Sequence, residues 1–312
     1  KAMAAGARDY LTKPPAREEM LQTIHRVYEL EKKRRLSQSG GSSREKPDRP
    51  GKIISFYSSK GGVGKSVLAV NLAVTMARLT QKKTALVDLN LQFGDVAILL
   101  DLLPRRTISD LAGEADFPEL KTLNSYLTDH SSGVKVLPAP LRPEYAEVVR
   151  AEQVGSILKA LKESYDYIIV DTHQLLNDPT LAALDISDFI IMVIALDILT
   201  VKNVKLVLEA IRLLNYEPQK IKLVLNRVFT RNNISIRDLE EHVNMKITHT
   251  IPHDAKLVVD SCNLGNPFVI SHPAAPISKS ILKLARELAG GTQEGSDVRL
   301  SREGARPHRC ER

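Results

Sequence analysis

Lys60-Gly61-Gly62-Val63-Gly64-Lys65-Ser66 sets three glycines between two lysines and ends on a hydroxyl. Glycines at this density let successive backbone N–H groups curl around one anion without Cβ clashes. A lysine after the last glycine reaches phosphoryl oxygens, and the serine beside it is a ligand for Mg²⁺. The chemistry implied is binding of a nucleotide's β- and γ-phosphates. Ile53-Ile54-Ser55-Phe56-Tyr57 precedes the loop and has the β-branched and aromatic content of a strand. Val67, Leu68, Val70, Leu72, Ala73 and Met76 follow it at helical spacing. Strand, glycine loop and helix together are the setting a phosphate-binding P-loop requires.

Acidic residues end two further apolar runs. Tyr167-Ile168-Ile169-Val170 leads into Asp171, and Leu86-Val87 leads into Asp88-Leu89-Asn90. An oxygen ligand suits Mg²⁺, so Asp171, Asp88 and Ser66 form a candidate metal set. A strand-ending aspartate has a second use as the cap of the next helix. Thr172 and His173 come next; His173 serves the γ-phosphate, a partner subunit, or only the loop.

Lys60 carries the family information. A lysine at the first loop position resembles the deviant Walker A motif of the ParA/MinD ATPases. That resemblance implies two subunits sandwiching two ATPs, with Lys60 reaching the partner's nucleotide and Lys65 its own. Lys60, Gly61, Gly62, Val63, Gly64, Lys65 and Ser66 would hold ATP, with Mg²⁺ at Ser66, Asp88 and Asp171. Asp88-x-Asn90 is similar to the family's Asp-x-Asp motif, whose second aspartate orients the attacking water. Asn90 can hold a water but cannot take its proton. The resemblance thus implies a slow ATPase, or ATP binding without turnover, with Lys60, Lys65, Asp88 and Asn90 as the catalytic candidates. Asp95 is near enough in sequence to stand in. Asn226-Arg227 and Pro252-His253-Asp254 resemble the segments that read and pack the adenine in MinD-like proteins.

These residues need a scaffold. Strand patterns fall at Ile53–Tyr57, Thr84–Asp88, Val134–Leu137, Tyr167–Asp171, Phe189–Ala195 and Ile221–Asn226. Helical patterns separate most of them, such as Val204, Leu208, Ile211 and Leu214 within 201–214. This alternation predicts an α/β P-loop NTPase with a mostly parallel sheet covered by helices on both faces. Right-handed crossovers bring the strand C-termini to one edge, where nucleotide binds.

The domain plan follows from composition and resemblance. Ala5-Gly6-Ala7-Arg8-Asp9-Tyr10-Leu11-Thr12-Lys13-Pro14 resembles the last strand of a response-regulator receiver domain. Met20, Leu21, Ile24, Val27 and Tyr28 then recur as its final helix would, so residues 1–30 are predicted to be a receiver remnant. Residues 31–50, with Ser37-Gln38-Ser39-Gly40-Gly41-Ser42-Ser43, Pro47 and Pro50, form a flexible linker. The ATPase domain spans 51–289, and the polar tail 290–312 is predicted to be disordered. Residues Asp88 to Ala97 are similar to the same stretch of CpaE/TadZ pilus-assembly proteins, which also join a receiver-like domain to a MinD-like ATPase. That resemblance implies a localisation ATPase for a type IV/Tad pilus machine, with pilus and secretion proteins as partners.

Composition limits the alternatives. Two cysteines, Cys262 and Cys310, offer neither a disulfide framework nor a zinc site. A reducing, cytoplasmic setting suits them. No signal peptide is visible in the residues from Lys1 on, and no apolar run reaches spanning length; the longest apolar run covers Phe189 to Leu196. A net charge of +7 favours anionic partners, a membrane surface or, less so, DNA; the basic run Lys32-Lys33-Arg34-Arg35 equally suits a solvated linker. A DNA-partition, division-site or flagellar-number regulator is the alternative. The stripe Ile277, Ile281, Leu284, Ala285 and Leu288 serves either a lipid surface at the inner membrane or pole, or packing on the domain. The nitrogenase iron-protein branch needs cluster-ligating cysteines that this chain lacks, and the tail after Ala289 has no tyrosine for a tyrosine-kinase reading.

Overall fold

The computed structural model describes residues 50–113, 123–228 and 235–290. The expectations for the receiver-like segment, most of the linker and the tail beyond Gly290 lie outside the described residues. Eight strands form one sheet in the order β3-β4-β2-β5-β1-β6-β7-β8. They are β1 (Lys52–Tyr57), β2 (Thr84–Leu89), β3 (Thr128–Asp129), β4 (Val134–Leu137), β5 (Tyr167–Thr172), β6 (Phe189–Ala195), β7 (Ile221–Val228) and β8 (Ile247–Pro252). Seven run parallel, and the short β3 lies antiparallel on one edge.

All six strands predicted from the sequence form, with ends extended by at most two residues. The sequence pattern passed over β3, too short to carry a period, and β8. In β8 the apolar signal is broken by a buried histidine: His249 is 6% exposed, and its Nε2 pairs with Ser280 O and Oγ at 2.9 and 3.0 Å.

The central strands are apolar on both faces because helices cover both faces. One face carries Ile54, Phe56, Leu86 and Ile169 against α1 (Lys65–Thr80) and α9 (Pro276–Ala289). The other carries Ile53, Val87 and Ile168 against α3 (Ala151–Lys162), and Ile190, Met192 and Leu223 against α5 (Ile198–Leu213). In α1 every residue from Leu68 to Ala77 is buried, so this helix is enclosed on all sides. The α9 stripe is buried as well, with Ile277, Ile281, Leu284, Ala285 and Leu288 at most 3% exposed. Its apolar face is committed to the domain core. Leu214 departs from the predicted stripe of α5: it caps the helix and is exposed.

Short helices α2 (Ile108–Ala112), α4 (Asp178–Asp185), α6 (Ile236–Val243), α7 (Ala255–Asn263) and α8 (Phe268–Ser271) complete the described fold. β1 lies in mid-sheet, and the chain places β5, β2 and β4 to one side of it and β6, β7 and β8 to the other. The loop after β1 therefore opens at a topological switch point.

His249 gives a test of this packing. Burial lowers its pKa, opposed by the Ser280 hydrogen bond and Glu287, while Lys283 adds to the lowering. The folded state thus binds the proton less readily than the unfolded chain. Stability from this group is complete above the unfolded pKa of about 6.5 and falls as pH drops through the lowered folded value. His249→Gln is expected to flatten that acid-side slope, measured as urea midpoint against pH. An unchanged slope would remove His249 as its source.

Candidate nucleotide site

The P-loop bends where its sequence allows. Gly64 takes a φ of 93°, in the left-handed region, and a Cβ there would lie 2.5 Å from Asn226 Nδ2. Only glycine meets both demands. Asn226, at the end of β7, is 6% exposed. Its Nδ2 donates to Val63 O at 2.7 Å, and its Oδ1 accepts from Arg227 N–H at 2.9 Å. The side chain expected at the adenine is thus also a brace under the phosphate loop. Arg227 has a φ of 58° and lines the cleft, whereas Pro252 ends β8 opposite Val228.

Behind the loop stand the two predicted carboxylates. Asp88 and Asp171 are register partners on β2 and β5, both essentially without solvent contact. Lys65 Nζ reaches Asp171 Oδ1 at 2.6 Å. Asp88 Oδ1 accepts from Asn90 N–H at 3.0 Å, and Oδ2 accepts from Val96 N–H at 3.1 Å. Burial raises the pKa of Asp88, to about 8, and the Asp171 charge adds to it; the two N–H bonds and Lys65 oppose the rise. Gly94 packs directly on this carboxylate, where a Cβ would overlap Asp88 Oδ2 and Ala139 Cβ. The sequence marks Gly94 only within the stretch similar to pilus-assembly proteins. Its steric role depends on a contact across the loop.

One oxygen of the pair is unmet. Asp171 Oδ2 is buried with no hydrogen-bond partner. An acceptor left so costs about 1–3 kcal/mol, and a hydrated cation is a natural partner for it. Ser66 lines the same cleft. No group of three His, Cys, Asp or Glu side chains able to hold a metal occurs among the described residues. Phosphate oxygens and water must therefore complete any Mg²⁺ shell, and these residues fit an ion that arrives with its nucleotide.

The cleft above the loop measures about 630 Å³, within the range of small-molecule sites. Asn90, Asp95, His173 and Gln174 line it. The Asn90 amide is turned back, donating from Nδ2 to Phe93 O at 2.6 Å. A carboxylate at this position would set oxygen against oxygen. Asp95 lies near α7, where its charge joins burial in raising the Cys262 thiol pKa. His173 Nδ1 accepts from Leu175 N–H at 3.1 Å, and burial followed by the Lys65 charge lowers its pKa.

Lys60 stands at the lip, with Nζ 3.0 Å from Asp197 Oδ1 in a pair 38% and 41% exposed. Asp197 caps α5, accepting from Thr200 N–H at 2.9 Å and from its hydroxyl at 2.6 Å. Burial raises the pKa of Asp197, but the Thr200 and Lys60 hydrogen bonds outweigh it and hold the carboxyl below its usual range. No sequence pattern linked Lys60 to Asp197, 137 residues away.

Comparison with known proteins agrees with this geometry. A family profile described as AAA domain matches residues 51–225. The septum site-determining protein MinD of Synechocystis is 29% identical over 248 residues, covering 77% of this chain and 90% of that protein. A ParA family ATPase from Chlorobium tepidum superposes with a TM-score of 0.71 at 23% identity, over 75% of this chain and 98% of its own. MinD of Pyrococcus horikoshii, solved with Mg-ADP, gives 0.66 at 23% identity, over 76% and 95%. With its P-loop and paired strand-end carboxylates, and with relatives among the ParA- and MinD-type ATPases, the chain belongs to the AAA domain family.

Proposed function

We propose that this chain is an ATP-binding localisation ATPase that dimerises around Mg-ATP and positions a type IV/Tad pilus machine. Lys60 carries the dimer part of the reading. It sits at the first loop position, at the rim of the cleft, in an ion pair open to solvent. An exposed pair of this kind is worth about 0–1 kcal/mol, so exchanging Asp197 for a phosphate of a partner's nucleotide costs little. Apolar side chains share the cleft with it: Phe93 and Ile98 are 70% and 66% exposed, and Leu175 and Leu199, each two residues beyond a residue of this site, are 61% and 65% exposed. Such side chains gathered at a cleft mouth suit burial by a second copy.

The catalytic part is slow hydrolysis, with Lys65 on the phosphates and the Asp88–Asp171 pair beside the ion. The pilus assignment rests on the 88–97 stretch and the receiver-like residues 5–14. A division-site, partition or flagellar-number role is the second reading, favoured by the similarity to MinD.

Light scattering tests the dimer. The mass is expected to double with Mg-ATP but not with ADP, and Lys60→Ala is expected to weaken the doubling. The same mass with Mg-ATP, with ADP and without nucleotide would sink the proposal. Sequencing the DNA flanking the reading frame separates the roles. Secretion-ATPase and pilin genes support the pilus machine, whereas partition sites or division genes support the second reading.

A further inference from the structure

We propose that Gln174 is the residue that positions the attacking water, an inference that rests on the ATP reading above. Two residues separate it from Asp171, and it lines the cleft above the P-loop. Its amide lies on the first turn of the P-loop: a Cβ on Gly61 would sit 2.7 Å from Gln174 Oε1. Its backbone is pinned from below, where Tyr57 Oη donates to Gln174 O at 3.1 Å. Tyr57 is 2% exposed, and burial pushes its phenol up to about 12, so it remains a donor at neutral pH. A long, adaptable side chain is thereby mounted on a fixed point over Gly61, in the cleft that Lys65 also lines.

Two other polar side chains of the cleft already hold hydrogen bonds to the backbone. Asn90 Nδ2 is bonded to Phe93 O. His173 Nδ1 is bonded to the Leu175 N–H. Gln174 has the chemistry the task requires, since one amide carries both an acceptor and a donor. Its carbonyl oxygen accepts one water O–H, while its NH₂ donates to a γ-phosphoryl oxygen. The water oxygen attacks the γ-phosphorus. The bond from that phosphorus to the bridging oxygen breaks, and its electron pair stays on ADP. The water proton passes to phosphate, giving ADP and inorganic phosphate. Gln174 takes no proton, and phosphoryl transfer asks mainly for positioning and charge stabilisation.

The test uses the full chain with Gln174→Ala, Gln174→Glu and Gly61→Ala. Gln174→Ala is expected to lower kcat about 100-fold, the size of one lost transition-state donor, with KM for Mg-ATP unchanged. Gln174→Glu keeps an acceptor, loses the donor and is expected to fall between. Gly61→Ala displaces only the end of a flexible side chain and is expected to lower kcat in a folded protein. A second readout is independent of turnover. Gln174→Ala is expected to lose affinity for Mg-ADP with aluminium fluoride, which mimics the transferring phosphoryl group, while keeping its affinity for ATPγS. Unchanged kcat, or losses of ATPγS and aluminium fluoride affinity in equal proportion, overturns the proposal. A wild-type chain that binds Mg-ATP and never turns it over also overturns it but leaves the nucleotide reading intact. A chain that binds no Mg-ATP overturns that reading instead.

Discussion

Lys65→Ala is expected to cost this protein its fold stability as well as its nucleotide. The Lys65–Asp171 pair is 2.6 Å long, with Lys65 11% exposed and Asp171 at 0%. Removing one partner of a buried pair costs about 3–5 kcal/mol, because the other charge stays buried. Here the remaining charge also faces Asp88 on the neighbouring strand. The urea midpoint should therefore fall sharply, and Mg-ATP binding should disappear. The double variant Lys65→Ala/Asp171→Asn removes the stranded charge. It is expected to recover much of the stability and none of the binding. Equal midpoints for wild type and Lys65→Ala would mean that the pair does not hold the loop to β5.

Gly94→Ala has the next largest expected effect, through one added methyl group. That methyl has no room between Asp88 Oδ2 and Ala139 Cβ. Overpacking a dense site costs about 1–3 kcal/mol. Pushing the Asp88 carboxyl aside also weakens its bonds from Val96 and Asn90, each worth about 0.5–1.5 kcal/mol. The melting temperature should drop, and nucleotide binding should lose its dependence on Mg²⁺. Gly94→Ala/Ala139→Gly relieves one overlap and should restore only part of the loss. A Gly94→Ala protein as stable as wild type would show that Asp88 does not pack on this glycine.

The sequence makes the skeleton of the site legible because local signals carry it. The loop at 60–66, the apolar runs before Asp88 and Asp171, and the helix after Ser66 each declare themselves within a few residues. The structure brings them together as the alternation of strands and helices predicts. What escapes the sequence is long-range. Asn226 under Val63, Asp197 beside Lys60 and Gln174 over Gly61 are contacts across 163, 137 and 113 residues. Each involves a common polar residue whose neighbours in sequence say nothing of its partner. β8 escapes for a different reason, since its buried His249 is satisfied by Ser280 on a helix that follows later.

The position of β1 in mid-sheet has a consequence for how such a protein can be tuned. The strands on one side, β2 and β5, supply the buried carboxyl pair Asp88 and Asp171. Those on the other side, β6 and β7, lead into Asp197 and Asn226, which hold the lysine at the lip and the underside of the loop. The buried carboxyl pair and the anchor of Lys60 thus descend from opposite flanks of one strand. A substitution at Asp197 alters the lysine at the lip without touching the Asp88–Asp171 pair, so the two can be varied one at a time.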